Sequence, residues 1–132
     1  MILKLHDKFE ETFTVSEQIY EGFIAMFRDK NPLHTDQQFA IDHGFQGRVM
    51  HGNILNGFLS YFIGECLPGK NVIIHTQSIQ FKNPVYLNDR LFFEGTVVNV
   101  FESVNAVEFK FRFKNEALKE VAKGKIQIGI LA

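Results

Sequence analysis

Residues 53–67 read NILNGFLSYFIGECL. On a helical wheel this run is apolar on almost every side, with Asn56, Ser60 and Glu65 as its interior interruptions. A helix of that kind cannot lie on a surface. It belongs in the middle of something and needs cover from several directions. The run is also too short and too interrupted to span a bilayer. Pro68-Gly69 brings it to an end. The rest of the chain must therefore supply a wrapping for one central helix.

The wrapping is legible in the second half. Residues 72–81, 91–101, 104–113 and 119–131 are rich in Val, Ile and Phe and read as strands. In the third of these Val107, Phe109, Phe111 and Phe113 alternate with Glu108, Lys110, Arg112 and Lys114, so one face is buried and the other is wet. Glu102-Ser103 and Asn115-Glu116 mark tight antiparallel turns, while Pro84 and Asn88-Asp89 mark an earlier connection. In the first half, residues 9–15 (FEETFTV) read as a short strand. Ser16 then caps a helix over residues 17–27, with Ile19, Tyr20, Phe23, Ile24 and Phe27 on one face. Pro32 stops that helix by Asn31 and makes the following residues extended. Thr35 to Gln38 (TDQQ) matches a capping box, with Asp36 as its first-turn acid, and opens a short helix ending at His43-Gly44. The expected architecture is α+β, an antiparallel sheet around a central apolar helix, in a single domain over residues 1–132. One sheet cannot cover such a helix on all sides, so a second copy of the chain is expected to help.

Composition narrows the function. The formal net charge is −1, which leaves no field for nucleic acid or an anionic membrane. Cys66 is the only cysteine, so no internal disulfide forms, and it reads as a buried, inert thiol. The first ten residues are charged from Lys4 onward and do not read as a leader. A cytoplasmic protein is expected. No His-x-x-x-His or paired-Cys spacing points to a metal, and no glycine-rich phosphate loop or other cofactor motif follows a strand. The chain has 15 Phe and no Trp. These rings either form a Phe-rich core or partly line an apolar tunnel or subunit interface.

Two segments carry candidate chemistry. In residues 28–34, RDKNPLH, a rigid turn at Pro32 can aim Asp29 and His34 at one point. A carboxylate and an imidazole converging on one water can move protons in both directions. Alternatively, Asp29 is a solvated helix-end residue and His34 a loop histidine. Asn31 either orients a partner or caps the turn. In residues 49–55, VMHGNIL, His51-Gly52 precedes the central helix. Its N-terminus presents unpaired N–H groups and partial positive charge, and Gly52 lets a ligand oxygen approach, as an oxyanion hole requires. Alternatively, Gly52 only makes the turn. Ser60, within the helix, either faces a site or bonds back to a carbonyl. His6 and His75 read as ordinary strand residues.

Together, DKNPLH at 29–34 and GRVMHG at 47–52 resemble the MaoC-like (R)-specific enoyl-CoA hydratases of the hot-dog fold. Their pattern is Asp-x-Asn-Pro-x-His followed by His-Gly at the start of the central helix. The likeness continues through LPGK at 67–70 and QSIQFKNPV at 77–85, covering most of the chain. Arg28 stands where the family usually has Gly. The resemblance implies that Asp29 and His34 activate a water that adds to a trans-2-enoyl thioester of CoA or acyl carrier protein. Gly52 N–H would hold the thioester oxygen. The product would be an (R)-3-hydroxyacyl thioester, and the reverse direction is dehydration. Asn31, Ser60 and His51 are the candidate substrate-binding residues, His51 being structural rather than a proton carrier. The resemblance also implies a homodimer with the acyl chain along its interface. A hot-dog thioesterase and a non-catalytic acyl-thioester-binding protein are the rival readings.

Overall fold

The structure is a computed structural model that describes residues 2–132. Its elements run β1 (Lys8–Thr14), α1 (Glu17–Phe27), α2 (Pro32–Thr35), α3 (Gln37–Asp42), α4 (Asn53–Tyr61), β2 (Val72–Phe81), β3 (Arg90–Phe101), β4 (Ala106–Lys114) and β5 (Glu120–Ile130). The five strands form one sheet in the order β1-β3-β4-β5-β2, every neighbouring pair antiparallel. α4 packs on one face of this sheet, its Ile54, Leu55, Phe58 and Leu59 sharing a single core with the strands, in the layout of a hot-dog fold. The β4 alternation holds: Val107, Phe109, Phe111 and Phe113 are buried, while Lys110 and Arg112 are exposed.

The core is aromatic. Phe13 stacks on Phe58 of α4 with centroids 4.4 Å apart, and Phe62 packs on Phe93 at 4.7 Å. Each buried Phe contributes about 1.5–3 kcal/mol from area alone. Phe27, Phe81, Phe92 and Phe101 remain exposed, so the core accounts for most but not all of the phenylalanines.

Several local expectations are corrected. The central helix is α-helical only to Tyr61, and Phe62–Cys66 forms a π-helical turn. The wider turn seats adjacent Phe62 and Ile63 in the core together. Nor is α4 covered all round, since Gly57, Ser60 and Tyr61 are exposed. Pro32 does not make the next residues extended. It opens α2 at its first position, where the missing N–H costs nothing, and the Asn31 side chain accepts from Leu33 N–H at 3.0 Å. Thr35 is not the cap of α3. Asp36 is, accepting from Phe39 N–H at 3.1 Å. β4 starts later than expected because Glu102–Val104 is a 3-10 turn closed by Asn105 at φ 50°. The turn at Asn115-Glu116 is as tight as expected: Leu118 N–H donates to Asn115 O at 2.9 Å, and the Asn115 side chain accepts from Ala117 and Lys119 N–H. His6 lies in the turn before β1 at φ 76°, not in a strand.

Candidate active site

The site is built where α1 ends. Ser16 caps α1 by accepting from Ile19 N–H at 3.2 Å. The helix terminates at Arg28, whose φ of 62° is left-handed and whose N–H bonds Ile24 O. That conformation suits glycine, which explains why Gly is usual there and makes Arg28 a strained substitute. Arg28→Gly is expected to stabilise the fold by about 1 kcal/mol, read from a denaturant curve, because the left-handed penalty disappears.

The sharp exit at Arg28 sets Asp29 beside α2. Its Oδ1 accepts from Asn31 N–H at 3.2 Å, which leaves Oδ2 turned toward His34. His34 is held at both ends. Tyr20 O–H donates to its backbone carbonyl at 2.6 Å, and its Nδ1 donates to Val49 O at 2.7 Å. A carbonyl can only accept, so Nδ1 carries the proton and Nε2 presents a lone pair. That Nε2 lies 3.8 Å from Asp29 Oδ2. The gap is too long for a direct hydrogen bond and suits a water bound by both.

The third side comes from residues 49–52. Val49 bridges Tyr86 and Met50 N–H donates to Val85 O, so the loop is fixed against the β2–β3 connection before α4 begins. His51 follows, 2% exposed, with its ring stacked on His34 at 4.0 Å between centroids. Gly52 has helical φ and ψ. Ile54 and Leu55 N–H already bond His51 O and Gly52 O, while among the described residues no oxygen accepts from Gly52 N–H. A Cβ at Gly52 would lie 2.9 Å from the Phe81 ring, so a larger residue would crowd this corner. Phe23, Asp29, His34, His51, Gly52 and Phe81 are among the residues lining one cleft of about 430 Å³. A second, more apolar groove runs between α1 and α4 and meets the first at Phe23, Asp29 and Asn53.

Of the residues singled out from the sequence, Asp29, His34, His51 and Gly52 come together. Asn31 acts through its backbone N–H on Asp29, and its side-chain oxygen is taken up by the α2 cap. Ser60 does not line the cleft and sits on the exposed face of α4. Tyr20 was read only as part of an apolar helix face. The signal for its role was its hydroxyl, since a buried tyrosine needs a partner. Asp29, His34 and His51 offer ligand atoms within 4.8 Å of one another, yet they make a poor metal centre. Stacked imidazoles send their in-plane lone pairs along nearly parallel planes rather than to one tetrahedral point.

The model of the MaoC-like domain matches residues 4–119. The chain belongs to the MaoC-like domain family. An (R)-specific enoyl-CoA hydratase of Aeromonas caviae is 40% identical over 70 residues, 53% of this MaoC-like chain and 52% of that enzyme. One of Rhodospirillum rubrum is 33% identical over 97 residues, 74% of this chain and 67% of that enzyme. The matches thus span between half and two thirds of these relatives. Among solved structures, unliganded R-hydratase PhaJ1 of Pseudomonas aeruginosa superposes with TM-score 0.88 at 32% identity, over 98% of this chain and 83% of that one. The Aeromonas caviae (R)-hydratase involved in PHA biosynthesis superposes with TM-score 0.90 at 27% identity, over 98% of both chains.

Proposed function

We propose that this chain is an (R)-specific enoyl-thioester hydratase, adding water to a trans-2-enoyl thioester of CoA or acyl carrier protein to give the (R)-3-hydroxyacyl thioester. One observation carries the reading: a lone pair on His34 and a carboxylate oxygen of Asp29 lie 3.8 Å apart, near enough for one water to bond both, beside an unbonded backbone N–H. The Aeromonas and Rhodospirillum relatives bear that activity in their names. The bridging water gives a proton to the pair as its oxygen bonds the β-carbon. The C=C electrons move onto the thioester oxygen, which Gly52 N–H and the start of α4 stabilise. The pair then returns a proton to the α-carbon, and every atom of the water ends in the product. The α1/α4 groove gives an acyl chain apolar surface beside the reacting carbons. Chiral analysis of the product should find the 3R alcohol with no free thiol released. A free thiol and no alcohol would instead mark a thioesterase.

A homodimer belongs to the same proposal. β2 is an edge strand with Ile73 and Ile74 exposed, and the Gly57, Ser60 and Tyr61 face of α4 is open. An uncovered edge of this kind is a template for a second copy. Ser60 lies on that open face, where such an assembly would cover it. Scattering should give twice the 15.2 kDa chain mass, and a fully active monomer would refute the assembly. Among the described residues no helix is long and apolar enough to cross a membrane, and the lone thiol favours a cytoplasmic setting for this reading.

A further inference from the structure

We propose that His51 is a positioning residue whose single buried imidazole sets the spacing between Asp29 and His34; the inference rests on the hydratase reading. Three contacts carry it. His51 Nε2 lies 2.8 Å from the Asp29 backbone carbonyl, and since that oxygen only accepts, Nε2 is the protonated nitrogen. The His51 ring stacks on the His34 ring at 4.0 Å and 29°. Phe23 packs on His51 as well, at 4.6 Å. One side chain thus grips the backbone of the first member of the pair and the ring of the second.

The cost of this residue shows that it is not filler. Besides Tyr20, whose hydroxyl is bonded, His51 is the one buried polar side chain among the described residues, and its Nδ1 is buried without a hydrogen-bond partner. A phenylalanine would fill the same space without an orphaned nitrogen. What only the imidazole supplies is the Nε2–H bond to Asp29. Neither nitrogen is placed for proton transfer to substrate, one being bonded to a carbonyl and the other enclosed. The other anchors act on the turn and the far side of His34: Asn31 N–H holds Asp29 Oδ1 and Asn31 O accepts from His34 N–H, while Tyr20 and Val49 hold His34. His51 alone joins the Asp29 backbone to the His34 ring, and through them it fixes the 3.8 Å separation that one water must bridge.

The test compares His51→Phe with His51→Gln, using crotonyl-CoA as substrate. His51→Phe keeps a flat ring on His34 but removes the donor. His51→Gln places an amide N–H near the old Nε2 but gives up the stack. His51→Phe is expected to melt within a few degrees of wild type, with kcat lower by about 10- to 100-fold and KM within about twofold, as misplacement of reacting groups predicts. His51→Gln is expected to recover several-fold over His51→Phe. Wild-type kcat in His51→Phe would overturn the proposal, as would losses in both variants that simply track lost melting temperature. NMR of the His34 ring separates this from the hydratase reading. Its resonances should shift in His51→Phe even if the wild type hydrates no thioester, and unmoved resonances would refute the positioning role alone.

Discussion

Asp29→Asn is expected to lower hydration by at least about 10²-fold while leaving the fold intact, the scale of losing a positioned acid/base group. The amide oxygen can still accept from Asn31 N–H, so the turn at Pro32 keeps its shape. What disappears is the charged oxygen that lies 3.8 Å from His34 Nε2 and would share a water with it in the proposed mechanism. Asp29 is half-exposed, and its removal leaves no buried group unpaired. His34→Ala is expected to cost as much in rate and about 1 kcal/mol in stability, since it also leaves Val49 O without its donor, while the Tyr20 bond to the backbone carbonyl stays. In the proposed mechanism the two residues act on one water, so the double variant should be little worse than either single one. Near-normal turnover in both single variants would remove the pair from the mechanism.

Gly52→Pro is the second large effect. Gly52 already has φ −58°, which proline adopts without strain, so the substitution deletes the N–H while suiting the start of α4. Loss of one oxyanion donor predicts a fall in kcat of about 10²-fold or more. Gly52→Ala is the control. It keeps the N–H and brings a Cβ against Phe81, whose ring is exposed on its other side and can swing away. A loss below about tenfold is expected there. Equal losses in the two variants would assign the effect to crowding and take the N–H out of the account.

The sequence exposed the periodic parts of this molecule well. The apolar run at 53–67 and the alternation at 107–114 reflect a core that one helix and one sheet must share, and such patterns survive without knowledge of partners. The segment at 28–34 was found but mis-shaped. The rule for the residue before a proline was applied there, whereas proline's aptitude for opening a helix governs residues 32–35. Arg28 hid its left-handed turn because its side chain gives no hint of φ, and only the family's usual glycine did. Tyr20 and His51 were harder to place. Each works through a backbone carbonyl 14 or 22 residues away, and nothing local in the sequence encodes such a contact. Ser60 matched by position along the helix, but an isolated chain leaves that face open.

The most direct test is the absorbance of the enoyl-thioester band with crotonyl-CoA and longer trans-2-enoyl-CoAs, wild type beside Asp29→Asn. Loss of the band with wild type and its persistence with Asp29→Asn is the predicted result. A band that the wild type leaves untouched on CoA and carrier-protein substrates alike, or that Asp29→Asn consumes at the wild-type rate, would contradict the account.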